Sequence, residues 1–115
     1  MQTTTQNLDS LVLDTILAHA VGRHNAMTTD AIAASIGVPS TRENVAIRAG
    51  VRRLRLQGIP VMAAQSAPKG YFLATTITDI VDFRQSYSDR MAEMQEVVDV
   101  LDYMIANWPG DYPDN

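Results

Sequence analysis

The chain has 115 residues, 46% of them hydrophobic and 19% charged, with a net charge of −4, which fits one compact domain plus an appended element and excludes two independent domains. It contains no cysteine, which excludes disulfides and thiolate metal sites and fits a reducing compartment. Residues 1–10 lack the pattern of a signal peptide and no stretch approaches the roughly 18 apolar residues of a membrane span, so we expect a cytoplasmic protein that does not bind membranes.

The first predicted element is an amphipathic helix over residues 8–20. Apolar residues recur there at helical spacing, and we expect Asp9 and Asp14 on the opposite side of the helix from the core. Gly22 marks the end of this helix.

A second, shorter helix is predicted after the apolar connector at residues 26–27. Thr28 or Thr29 can cap its first turn by accepting a hydrogen bond from a free backbone amide. Gly37 and Pro39 stop the helix after about two turns, because glycine closes a helix in the left-handed conformation and proline cannot continue it.

A third helix is predicted from the capping-box pattern of residues 40–43, Ser-Thr-Arg-Glu. In a capping box the hydroxyl and the carboxylate each satisfy a free backbone amide at a helix start. We therefore expect this helix to begin near Thr41, to run to Gln57 and to be closed by Gly58.

The segment after Gly58 predicts a β-hairpin. Residues 59–63 form a strand candidate whose proline lies near its start, where a missing donor is tolerated. Residues 65–70 have turn chemistry, and residues 71–73 form the returning strand.

A helix of about 30 residues is predicted from Thr78, since neither glycine nor proline interrupts the chain before Pro109. Its apolar residues recur at heptad-like spacing, broken only by Arg90. Such a stripe either folds back on the first helix or pairs with a second copy. We expect a homodimer whose contacts include Phe83, Tyr87, Met94, Val97, Leu101, Met104 and Trp108.

Charge is segregated along the chain. Residues 79–115 carry two arginines against nine acidic side chains, a net charge of −7. Residues 40–71 instead carry six basic side chains against Glu43 alone, a net charge of +5: Arg42, Arg48, Arg52, Arg53, Arg55 and Lys69. This asymmetry indicates one surface for a polyanion and another surface with a different task.

Three helices followed by a hairpin are the order of a winged helix-turn-helix, in which the third helix reads DNA. On that helix Ile47, Val51 and Leu54 share the core-facing side. An adjoining sector of about 80° holds side chains that can pair with bases or phosphates. We predict DNA contacts by Thr41, Asn44, Arg48, Arg52 and Arg55, with Lys69 reaching the backbone or minor groove from the hairpin tip.

Three short patterns between residues 28 and 73 carry a family resemblance. They are Ile36-Gly37-Val38 with Ser40, Val51-Arg52-Arg53-Leu54-Arg55 before Gly58-Ile59-Pro60-Val61, and Gly70-Tyr71-Phe72-Leu73. With them the segment resembles the N-terminal DNA-binding domain of biotin repressors and related short winged-helix proteins of phages and mobile elements.

The resemblance implies that the start and exposed face of the third helix, at Thr41, Asn44, Arg48 and Arg52, contact DNA and that the wing falls on Lys69. The chain departs from biotin repressors after the wing, where no ligase or small-molecule domain follows. The long helix stands in its place, and in similar short proteins such a helix serves dimerisation.

The expected fold class is therefore mainly α with a small β-hairpin (α+β). We expect a winged helix-turn-helix over residues 1–75, a long dimerisation helix over 76–108 and a flexible tail over 109–115. The two histidines, His19 and His24, do not share a helix face, so we expect no metal site. The sequence has no nucleophile or phosphate-loop motif, so we expect that the protein is not an enzyme and binds no cofactor.

Two functions fit these predictions. The first is a dimeric transcriptional regulator, such as a repressor or a phage or mobile-element control protein, that binds double-stranded DNA in a sequence-specific way. The second is a winged-helix interaction protein, or a replication or recombination accessory protein, whose acidic C-terminal helix engages a protein partner. In the second function DNA contact is secondary, and it predicts binding that survives the removal of Arg48 and Arg52.

Overall fold

The computed structural model describes residues 5–39 and 44–110, with the side chains of residues 5 and 6 excepted. The described chain is mainly helical with a small antiparallel sheet, which confirms the α+β class. Its elements are α1 Thr5–His19, a 3₁₀ turn Arg23–Asn25, α2 Thr29–Ile36, α3 Val45–Leu56, β1 Val61–Ala64, β2 Gly70–Leu73 and α4 Ile77–Ala106.

Helix α1 carries the centre of the hydrophobic core. Val12 and Ile16 are fully buried along one of its sides, and Ala20, the residue after the helix, is fully buried as well. Asp9 lies on this same side and is only 8% exposed, so the prediction that it faces away from the core is wrong. Its burial is tolerated because its carboxylate accepts two hydrogen bonds from Arg53, as buried charges require.

Helix α2 has the boundaries that its cap residues predict. The Thr28 hydroxyl accepts a 3.1 Å hydrogen bond from the Ala31 amide and so satisfies one of the free donors of the first turn. Gly37 closes the helix in the left-handed conformation, at φ 77°, and its amide donates back to the Ala33 carbonyl. Both the threonine cap and the glycine stop are confirmed.

Helix α3 begins four residues later than predicted. Its N-cap is Asn44, which holds the left-handed conformation at φ 47° and makes no side-chain capping bond, and the first helical residue is Val45. A start near Thr41 is therefore wrong. The proposed capping box, residues 40–43, lies outside the described residues. The helix ends at Leu56 before Gly58, close to the predicted end.

The two strands pair in antiparallel register, with Val61 opposite Leu73 and Ala64 opposite Gly70, so the predicted hairpin is confirmed. The free edge of β2 is occupied by the segment between α1 and α2. The amides of Met27 and Tyr71 each donate to the other's carbonyl, at 2.8 and 2.7 Å. Residues 26–27 are thus an additional partner of β2 as well as a connector.

Gly70 allows this pairing. Its φ is +131°, and a Cβ atom at this position would lie 2.1 Å from the Met27 carbonyl oxygen. Two backbones can approach this closely only where one of them carries no side chain. Gly70 therefore serves the sheet as well as the turn.

The core lies between the first three helices and the sheet. Its fully buried aliphatic side chains come from α1, α2, α3 and β1, and Phe72 of β2 is buried beside them. The predicted core side of α3 is confirmed, since Ile47, Val51 and Leu54 are all buried. Burial of this aliphatic surface is the main contribution to the folding free energy of the three helices and the sheet.

Helix α4 spans 30 residues, as predicted. Its start is fixed by a reciprocal cap in which the Thr76 hydroxyl accepts from the Asp79 amide and the Asp79 carboxylate accepts from the Thr75 amide. The chain forms two compact units, residues 1–83 and 84–115, so the first turns of α4 belong to the first unit. No helix of the described chain is long and apolar enough to cross a membrane.

Candidate nucleic-acid interface

Helix α3 presents two exposed arginines on a sector that adjoins its core face. Arg48 and Arg52 lie one turn apart and are both exposed. At 100° per residue they share a sector of about 100° with Val45, Ala49 and Leu56. Neither guanidinium has a hydrogen bond or ion pair with another described residue, so the donors of both remain available to a ligand.

Asn44 does not belong to this surface, although the sequence predicts that it contacts DNA. It is only 5% exposed. Its side-chain amide donates to the Thr29 hydroxyl at 3.0 Å and to the Asp30 carboxylate at 2.6 Å, so both of its donors are already used. The structure therefore corrects its role: Asn44 ties the start of α3 to the start of α2.

Arg55 is also engaged within the fold. Its Nε donates to the Val61 carbonyl at 2.9 Å, and its guanidinium carbon lies 4.5 Å from the centre of the Phe83 ring. A cation over an aromatic face is attracted by the quadrupole of the ring. Arg55 therefore connects α3 with β1 and the first turns of α4, which differs from the predicted phosphate contact.

Arg53 fixes α3 against α1. Its Nε and Nη2 donate to the two carboxylate oxygens of Asp9 at 2.8 and 3.0 Å, and these hydrogen bonds raise the pKa of the guanidinium above its ordinary value. Gly50 makes room for this pair, because a Cβ atom there would lie 2.8 Å from the Asp9 Oδ1. The bidentate pair holds the angle at which α3 presents its outer face.

The β1–β2 loop carries Lys69, which is exposed as expected for a wing-tip side chain. Sequence reasoning missed the residue that shapes this loop. Arg23 donates from Nη1 to the Pro68 carbonyl at 2.9 Å and from Nη2 to the carbonyl and hydroxyl oxygens of Ser66 at 2.7 and 2.9 Å. No local pattern signals these contacts, since they join residues more than 40 positions apart.

The structure thus brings Arg48 and Arg52 together on one face and places Lys69 on the loop of the same unit. Thr41, the remaining predicted DNA contact, lies outside the described residues, as does Arg42. Among the described residues no group of three or more histidine, aspartate or glutamate side chains could hold a metal ion.

No model of a known protein family, no curated protein and no solved structure matches this chain.

Most predicted dimerisation residues are exposed in the second unit, along α4 or, for Trp108, two residues beyond its end. The exception is Phe83, which is half-buried and packs against Arg55 in the first unit. The other six have 44–65% of their surface exposed: Tyr87, Met94, Val97, Leu101, Met104 and Trp108. Arg90 breaks the apolar stripe, as predicted, and lies with its guanidinium carbon 4.5 Å from the Tyr87 ring centre.

Proposed function

We propose that the first unit is a winged helix-turn-helix that binds double-stranded DNA through the outer face of α3. The observation that carries this proposal is the different use of four arginines. Arg53 and Arg55 are engaged within the fold, whereas Arg48 and Arg52 are exposed side by side on a single helical face. Sequence-specific recognition needs this kind of surface, with charge-assisted donors held at fixed spacing on a rigid helix.

The dimensions of α3 support insertion into the major groove. A 12-residue helix is about 18 Å long, and the major groove of B-form DNA, about 12 Å wide, admits one helix. Arginine can donate two parallel hydrogen bonds to a guanine or hold a phosphate. Val45 and Ala49 lie between or beside the arginines on the same face, where they can pack on thymine methyl groups.

The loop between β1 and β2 would act as the wing. Lys69 supplies its positive charge, and the three hydrogen bonds from Arg23 restrict the loop before any ligand arrives. A restricted loop loses less conformational entropy on binding than a free one. The wing would therefore add a backbone contact beside the groove occupied by α3.

Fluorescence anisotropy on labelled duplexes at several salt concentrations tests the proposal. The slope of log K against log salt is negative, and each phosphate contact that is lost reduces its magnitude by about 0.9. Each lost base contact costs about 1–3 kcal/mol and relaxes sequence preference. We expect Arg48→Ala/Arg52→Ala to weaken binding at least tenfold. The matched control is Arg84→Ala, which removes an exposed positive charge from α4 and is expected to leave binding nearly unchanged.

Two results would overturn the proposal. One is the absence of duplex binding by the folded wild-type chain at low salt. The other is equal affinity of the double variant and the wild type, which would favour an interaction protein whose DNA contact is secondary. Under the proposal itself, selection of a preferred sequence from a random duplex pool would support a regulator of transcription, with repression as the expected mode.

A further inference from the structure

The exposed apolar face of α4 needs a partner. Between residues 87 and 108 it consists of nine large apolar side chains that are 44–76% exposed: Tyr87, Met91, Met94, Val97, Val98, Leu101, Met104, Ile105 and Trp108. The eight that belong to α4 fall within a sector of about 140° of the helix, and Trp108 follows two residues after its end. Their exposed area is on the order of 1,000 Å², whereas the largest apolar patch of a typical monomer is about 300–600 Å².

We propose that this face pairs with the same face of a second copy in antiparallel orientation. The register places Tyr87 opposite Met104, Arg90 opposite Leu101 and Met94 opposite Val97 of the second copy, and the reverse. In this register the heptad position shared by Tyr87, Met94 and Leu101 meets the position shared by Arg90, Val97 and Met104 of the second copy. Antiparallel packing requires such a pairing of unlike positions, and the two-fold axis passes near the middle of the stripe.

Charge complementarity selects the orientation. Residues 84–92 carry Arg84 and Arg90 against Asp89, a net charge of +1, whereas residues 93–108 carry four acidic side chains and no basic one, a net charge of −4. Antiparallel pairing places each weakly positive half along the acidic half of the other copy. Parallel pairing would instead place the two acidic halves side by side, which costs free energy at ordinary ionic strength.

Arg90 leads to the same conclusion. It is the one charged side chain within the apolar sector. In a parallel pair the two copies of Arg90 would face each other in the seam, where two like charges lose water without gaining a counter-charge. In the antiparallel register each faces Leu101, and the two arginines are separated by about 16 Å along the helix axis, beyond the Debye length of about 8 Å at physiological salt.

The available area is sufficient for a stable pair. If half of the exposed apolar surface on each copy is buried, the pair removes on the order of 1,000 Å² from water, which is the lower limit for a specific interface. The 23 residues from 84 to 106 give a contact of about 34 Å. A second copy therefore offers enough apolar surface for a specific pair.

The natural absence of cysteine allows a direct test by disulfide crosslinking of the full chain, without DNA. Tyr87→Cys and Met104→Cys are each oxidised alone and as a mixture. We expect the mixture to form crosslinked dimers at least tenfold faster than either variant alone. Ala92→Cys, on the side of α4 opposite the stripe, gives the background rate. The pair Arg90→Cys and Leu101→Cys repeats the test at an independent layer.

Rapid crosslinking of either single variant by itself would overturn the antiparallel register and indicate a parallel pair. A mass by light scattering of one 12.6 kDa chain, measured on the wild type at about 100 μM, would overturn self-association and indicate that another protein covers α4. A mass of two chains with crosslinking in the mixture alone supports the proposal. Loss of DNA binding would not change any of these results, because the assay contains no DNA.

The substitution Arg90→Leu tests the role of the arginine separately. A single charged residue in an apolar seam specifies orientation at a cost in affinity. We expect this variant to dimerise about tenfold more tightly and to gain self-crosslinking when combined with Tyr87→Cys. Unchanged affinity together with an unchanged crosslinking pattern would show that Arg90 does not set the orientation.

Discussion

The substitution Gly70→Ala tests whether the pairing of β2 with the segment before α2 stabilises the first unit. A Cβ atom at Gly70 would lie 2.1 Å from the Met27 carbonyl oxygen and 2.7 Å from the Thr28 amide nitrogen, both of them backbone atoms. Neither can move aside as a flexible side chain would. The segment before α2 must therefore separate from β2, and the two hydrogen bonds between Met27 and Tyr71 are lost.

The expected loss of stability follows from these terms. Two backbone hydrogen bonds contribute about 1 kcal/mol each, and an alanine at φ +131° costs about 1–3 kcal/mol of strain, which gives about 3–5 kcal/mol in total. For a unit of this size 1 kcal/mol shifts the melting temperature by about 4–8 °C, so the melting temperature should fall by about 12–40 °C. Circular dichroism during thermal and urea unfolding measures both quantities.

Gly58→Ala is the matched control. Gly58 also has a positive φ, +88°, but nothing lies within 4 Å of its Cβ position, so this substitution adds strain without separating two backbones. We expect it to cost about 2 kcal/mol less than Gly70→Ala. Equal losses in the two variants would show that the contact between β2 and residues 26–27 contributes nothing to stability.

Three further substitutions test the contacts that hold α3. Asn44→Ala should lower the free energy of unfolding by about 2–4 kcal/mol in urea, because it removes two buried hydrogen bonds and leaves alanine in the left-handed conformation. Asn44→Gly should cost about 1 kcal/mol less, since glycine adopts that conformation without strain. Equal costs would contradict the contribution of backbone conformation. Gly50→Ala should lower the melting temperature, because the new methyl group displaces the Asp9 carboxylate from its pair with Arg53. This loss should exceed the gain of about 1 kcal/mol in helix propensity. A higher melting temperature would refute this prediction. Ile16→Ala should lower the free energy of unfolding by about 2–5 kcal/mol, because it leaves a cavity in the core. Leu17 is half exposed, so Leu17→Ala should cost less than about 1 kcal/mol. Similar losses in the two variants would mean that the core is not centred on α1.

The order and type of the elements could be predicted because their signals are local. Thr28 and Gly37 bound α2 through bonds to residues within four positions, and the uninterrupted stretch before Pro109 predicts α4. The start of α3 could not be predicted in the same way. The capping pattern at residues 40–43 predicted a start near Thr41. Asn44 instead holds a left-handed conformation while its side chain bonds to α2, and the helix starts after it, at Val45.

The candidate interface was only partly predictable for a related reason. Periodicity identifies which arginines share a face, and Arg48 and Arg52 do lie exposed together. It does not show which arginines are used internally, because their partners are distant in sequence. Asp9 is 44 positions from Arg53, and Phe83 is 28 positions from Arg55. The burial of Asp9 on the core side of α1 could likewise not be predicted without knowing that Arg53 pairs with it.

Every side chain that is buried among the described residues lies between positions 9 and 72. None of the buried side chains of the first unit therefore comes from residues 84–110. The thermal unfolding of this unit should be independent of protein concentration, although the proposed association through α4 would depend on concentration. Under the two proposals above, a substitution in α4 that changes its affinity leaves these core side chains in place, so that DNA recognition and assembly could evolve as separate traits.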